Sequence, residues 1–158
     1  MAISSRTIVL NAAFLQEIKE DDIMLRQLLQ QVRQRLSEGR WLDYPARDTW
    51  ELLEQLRDQL ATHFTLEEAC GYLETSLEEA PELSGEAARL RNEHGPLFLQ
   101  MCEICELCAQ GVHTRRGKRW LGRVAMRFWQ FDARFRKHEQ QEEALILKAF
   151  HQDTGVGD

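Results

Sequence analysis

The chain has 158 residues, 43% hydrophobic and 29% charged, with three prolines and nine glycines; this suits a compact globular fold and excludes a disordered or collagen-like chain. No apolar run approaches the roughly 20 residues needed to span a bilayer, and no basic stretch leads into an apolar segment at the N-terminus, so a cytoplasmic protein without a membrane partner is expected. A formal net charge of −6 disfavours nucleic acid as a partner.

Leu, Gln, Glu, Arg and Ala dominate, and neither hairpin turns nor sustained alternation occurs, so the expected fold is all-α. Breakers cluster at Ser37 to Pro45, Ser76 to Gly85 and Gly111 to Gly117. They divide the chain into four helices, at about residues 10–38, 46–75, 86–110 and 118–150, with a polar tail beyond. Apolar positions advance in steps of three and four, the pattern of an antiparallel up-down-up-down four-helix bundle, expected as a single domain over residues 1–158.

In the first helix the stripe reads Ile18, Asp22, Leu25, Leu29, Val32, Leu36; in the second Leu53, Leu56, Leu60, His63, Glu67, Cys70. The third reads Ala87, Leu90, His94, Leu97, Met101, and the fourth Val124, Phe128, Phe131, Phe135, His138, Glu142, Leu145, Ala149. Asp22, His63, Glu67, His94, His138 and Glu142 therefore interrupt otherwise apolar faces.

At about 1.5 Å of rise per residue, Asp22 lies about 25 Å before the end of its helix, and His63 a similar distance past the start of the next. His63 with Glu67, and His94, lie about 14 residues either side of the second turn, and His94 and His138 are nearly equidistant from the third. All six fall into one layer of the bundle. Buried carboxylates and imidazoles need partners, and residues four apart on a helix aim at one point, as His63 with Glu67 and His138 with Glu142 do. Imidazole and carboxylate without thiolate suit a dinuclear site of iron or manganese, with zinc possible by ligand type alone. Glu67 and Glu142, on opposite helices, are placed to bridge.

The segments Lys19-Glu20-Asp21-Asp22, His63-Phe64-Thr65-Leu66-Glu67-Glu68, Asn92-Glu93-His94 and His138-Glu139-Gln140-Gln141-Glu142-Glu143 resemble the hemerythrin-like (HHE cation-binding) family of non-haem di-iron four-helix proteins. The ferritin-like pattern of Glu three residues before His occurs at none of the five histidines. The resemblance implies two iron ions, oxo- or hydroxo-bridged, and a small diatomic or peroxide ligand such as oxygen, nitric oxide or peroxide. It is incomplete in two places: Asp22 stands where the family has histidine, and Phe98 where oxygen-carrying members have a second histidine on helix three. More anionic ligands favour the ferric state. Sensing, redox or iron and oxygen handling, with oxidase or peroxidase-like activity among the readings, is therefore expected in place of reversible oxygen transport.

Cys102, Cys105 and Cys108 resemble an iron-sulfur run, but on a helix Cys105 and Cys108 fall near the face of His94 while Cys102 is rotated roughly 80° from it, and small core side chains are expected. From Arg115 to Lys137 nine basic residues accompany one acid, Asp132, leaving a net charge of −14 on the remainder. This face either pairs with acids of neighbouring helices or docks an acidic protein partner or nucleic acid. A metal-free helical interaction or regulatory module using that face is thus the alternative function.

Overall fold

The computed structural model describes residues 3–69, 81–114, 116–117 and 119–154, and the side chains of 16–69, 81–114, 116–117, 119–149 and 151. Every regular element among them is helical: α1 (Ile3–Arg35), α2 (Ala46–Ala69), α3 (Ser84–Asn92), α4 (His94–His113) and α5 (Arg119–Thr154), with short 3-10 turns at Arg40–Asp43 and Pro81–Leu83. None of the described helices is long and apolar enough to cross a membrane. The end expected for the second helix, with Cys70, lies outside the described residues.

The turn after α1 follows from local chemistry. The Ser37 hydroxyl donates to the Gln34 carbonyl at 2.7 Å, and Gly39 takes the left-handed φ of 73° that its missing Cβ makes cheap. Tyr44 is extended, as the residue before a proline prefers, and the Pro45 carbonyl accepts the first α2 bonds from Asp48 and Thr49.

The third expected helix is interrupted at Glu93. Pro96 has no N–H, and its ring collides with the carbonyl four residues back, that of Asn92, where α3 ends. Glu93 N–H turns instead to Leu90 at 3.0 Å, and Leu97 N–H takes the Glu93 carbonyl at 3.0 Å. The interruption falls on Glu93 and His94, which matter below.

Gly111 reads in the sequence as a breaker, but it lies buried within α4. A Cβ there would overlap Trp120 Cδ1 and stand 2.6 Å from its Nε1, while that indole N–H donates to the Leu107 carbonyl at 2.6 Å. The chain turns at Gly117 instead, where φ is 78°. Gly111→Ala should therefore destabilise the protein by about 3 kcal/mol through overpacking. Gly117→Ala, with open space around it but a strained φ, should cost about 1 kcal/mol. Urea titrations of the two variants check the order.

α2 packs against both α1 and α4, and α5 against α3 and α4. α1 meets α5 through the Arg33 guanidinium, which donates to the buried Asp132 carboxylate at 2.7 and 3.0 Å, and through Trp129 Nε1–H on the Leu36 carbonyl at 3.1 Å. Buried apolar side chains form two clusters. The larger includes Leu25, Leu53, Leu60, Leu97, Phe128, Phe131 and Phe135; the smaller is Ala87, Leu90 and Leu145. Along α5, His138 and Glu142 fall between Phe135 and Leu145; along α3 and α4, His94 falls between Leu90 and Leu97. A polar layer thus divides the core.

Candidate metal centre

In that layer, Glu67, His94, His138 and Glu142 each offer a ligand atom, and these atoms all lie within 4.8 Å of one another. Helical spacing of four residues makes the pairs: His63 Nε2 stands 2.9 Å from Glu67 Oε1, and His138 Nε2 stands 3.0 Å from Glu142 Oε1. His94 Nε2 enters between them, 3.2 Å from Glu67 Oε2 and 3.3 Å from Glu142 Oε1. Glu67 thus turns one oxygen to His63 and the other to His94, while Glu142 uses one oxygen towards two imidazoles.

All three imidazoles have the same orientation. Their Nε2 atoms face the inner carboxylates, and each Nδ1 meets an outer one: His63 with Asp21 Oδ2 at 2.7 Å, His94 with Glu68 Oε1 at 3.2 Å, His138 with Glu93 Oε2 at 2.9 Å. Asp21 is fixed in turn by Gln59 Nε2–H at 2.6 Å. Histidines that bind metals are held this way, by a carboxylate on the nitrogen that does not coordinate. Phe64 stacks on His94, ring centroids 4.3 Å apart, and Phe135 packs edge-on to His63, giving the layer an apolar wall.

Two atoms test whether the donor set suits a cation. Glu67 Oε2 and His138 Nε2 are buried and make no hydrogen bond, although each has a complementary group about 3 Å away. Leaving such atoms unsatisfied costs about 1–3 kcal/mol each. Donors arranged around an ion at about 2.1 Å are themselves about 3–4 Å apart, so atoms this close, aimed past one another, fit a metal ligand set.

The electrostatics of the metal-free layer agree. Burial opposes charging of His63, but Asp21 and Glu67 prevail and lift its pKa to about 10. Burial likewise opposes charging of His94, which Glu142, Glu67 and Glu68 lift to about 9. His138 is raised by Glu142 and Glu93 against its burial. Burial would raise Glu67, yet His63 and His94 hold it down at about 2; Glu142 is lowered by His138 and His94 in the same contest. Protons occupy the imidazoles where a cation would otherwise balance the carboxylates.

Of the six residues expected here, Glu67, His94, His138 and Glu142 form the compact group, and His63 joins it through Glu67. Asp22 is not brought to it: its carboxylate is 42% exposed and pairs with Arg26 at 3.3 Å. Neighbouring residues on a helix point about 100° apart, so only one of the two aspartates faces inward, and that one is Asp21, 6% exposed. A step of three from Ile18 followed by four to Leu25 would have selected it. Glu68 and Glu93 were also missed. Glu68 lies one residue off the stripe, and Glu93 reaches His138 from the interruption that Pro96 makes.

Among the described residues the cysteines stand apart from the layer. Cys105 and Cys108 belong to the larger cluster, and burial pushes both thiols up to about 12, so they stay protonated and inert. His113 closes α4, exposed, with its ring against Trp50.

Removing an outer carboxylate should loosen an imidazole without removing a ligand. Asp21→Ala and Glu93→Ala are each expected to weaken metal binding about 10–100-fold, read by chelator competition, with helicity retained. The more exposed Glu68 should matter less.

In comparison with known proteins, the family model described as Hemerythrin HHE cation binding domain matches residues 13–110, which contain Asp21, His63, Glu67 and His94. His138 and Glu142 lie beyond the match and join these residues through the fold. No curated protein and no solved structure matches the chain. With more than half of the chain matched, and with a histidine and carboxylate group assembled in its interior, the protein belongs to the hemerythrin HHE cation-binding family.

Proposed function

We propose that residues 1–158 form one antiparallel up-down-up-down four-helix domain that holds two iron ions in its interior and meets oxygen, peroxide or nitric oxide there, in sensing or redox handling in the cytoplasm. The observation that carries this reading is the convergence of Glu67, His94, His138 and Glu142 within 4.8 Å, with a buried carboxylate oxygen and an imidazole nitrogen lacking hydrogen bonds. His63, Glu67, His94, His138 and Glu142 would hold the ions, Glu67 with one oxygen towards His63 and the other towards His94. Iron bound in this set would supply one-electron redox chemistry and a binding position for a diatomic or peroxide ligand.

The chain's own residues set the conditions. Nδ1–H bonds to Asp21, Glu68 and Glu93 hold the tautomer that leaves each Nε2 facing the inner carboxylates. Phe64 and Phe135 on one side, and Leu90 and Leu145 on the other, exclude water and strengthen every charge interaction inside. In this reading α1 contributes Asp21 as an orienting carboxylate in place of a ligand at Asp22. Phe98 packs against the larger cluster, so α4 supplies His94 alone. With Asp22 outside it, the set holds three imidazoles and two carboxylates, fewer imidazoles than the oxygen-carrying members have, and this favours ferric iron.

Protein loaded anaerobically with ferrous iron and then mixed with air-saturated buffer is expected to oxidise irreversibly, followed by absorbance. A spectral change that reverses on degassing would contradict the proposal and indicate oxygen carriage.

A further inference from the structure

Arg119, Arg123, Arg127, Arg134 and Lys137 are all exposed on α5, and at 100° per residue they fall within an arc of about 80° over about 27 Å of helix. Among the described residues none of the five has an ion-pair partner. Arg134 reaches only Gln100, at 3.3 Å, and Arg123 lies over the Trp120 ring, 5.0 Å from its centroid. The basic residue of this stretch that does pair, Arg136, turns to Asp132 at 3.1 Å. Among the described residues the neighbouring helices therefore leave this row without ion pairs, on a chain whose residues outside 115–137 carry −14. Held side by side, like charges repel at a cost, and no ion pair among the described residues offsets it.

Beside the row runs a cleft of about 170 Å³ between α4 and α5, lined by Gln100, Glu103, Ile104, Leu107 and Arg127. Arg127 stands on its rim, and Arg134 reaches the rim through Gln100. Leu99, one turn before Glu103, is 61% exposed. Cations alone would suit any polyanion. Cations beside a cleft that Ile104 and Leu107 line on its apolar part suit a partner that brings carboxylates and an aliphatic side chain together, whereas a long nucleic acid would also meet the acidic remainder of the surface.

We propose that this face of α4 and α5 docks an acidic amphipathic helix of another protein, with its carboxylates along the arginine row and one aliphatic side chain in the cleft over Ile104 and Leu107. Helix docking of this kind uses apolar anchors at helical spacing, and the charged row supplies steering and specificity.

The test uses the full chain and a fluorescein-labelled helical peptide with glutamates on one face and leucines on the adjoining face, followed by polarisation at low and high salt. Binding is expected to weaken at least about tenfold in Arg119→Glu/Arg123→Glu/Arg127→Glu and again when the peptide leucines become serine, with metal content and helicity unchanged. Should the triple variant misfold, Arg127→Ala provides the same comparison with a smaller loss. The proposal is overturned if these changes leave binding unaltered, or if a single-stranded RNA of similar length binds more tightly than the peptide. It is equally overturned if the wild type self-associates through this face, shown by sedimentation and abolished by the same substitutions, since the occupant would then be a second copy.

Discussion

Glu142→Ala protein, purified beside the wild type from iron-replete cells, is expected to lose most of its metal, with affinity reduced about a hundredfold or more. The loss should exceed that for an outer carboxylate. Glu142 Oε1 is the atom shared by His94 and His138, at 3.3 and 3.0 Å; without it, those two rings, 5.1 Å apart between centroids, have only Glu67 between them. Glu67→Ala should do comparable damage, because its two oxygens join His63 to the rest. Glu143, one residue away and exposed, provides the comparison: Glu143→Ala should leave metal content unchanged. Equal occupancy in all three variants would show that the ions are held elsewhere.

The second large effect concerns pH. In the metal-free protein, His63 and His94 hold their protons up to about 10 and about 9, so a cation arriving at neutral pH must displace a proton from each Nε2. Release of at least two protons makes affinity rise about a hundredfold per pH unit between pH 6 and 8. Calorimetric titration with manganese in buffers of different ionisation enthalpy measures the release; affinity independent of pH would contradict imidazole ligation. Stability of the metal-free protein follows the same shifts. The raised histidines contribute stability that is complete below about 6.5, their unfolded value, and is lost as pH rises through 9 to 10. The lowered Glu67 contributes stability that is complete above about 4.5 and is lost as pH falls towards 2. The metal-free protein should thus be most stable between about pH 4.5 and 6.5. Loaded protein should keep its alkaline stability, since its imidazoles are already neutral.

Much of this was legible in the sequence because helices write their inward face as a period. The all-helical fold and the positions of His63, Glu67, His94, His138 and Glu142 came from steps of three and four, and their common level came from the lengths between breaks. Asp21 and Asp22 defeated that reasoning because both satisfy an allowed step, and only packing decides which turns inward. Glu93 was hidden for another reason: its position depends on the collision of the Pro96 ring with the Asn92 carbonyl, a backbone event that a side-chain pattern does not register. Gly111 was misread as a turn because a glycine that ends a helix and one that admits an indole look alike until the partner, Trp120, is placed against it.

The central claim is that the polar layer is a metal site, and the most direct measurement is the metal content per chain of protein purified without added metal from iron-replete cells. Elemental analysis is expected to give about two iron ions per chain in the wild type and little in Glu142→Ala. Folded wild-type protein with only trace metal would contradict it, and stoichiometric zinc without iron would contradict the assignment of iron to the site.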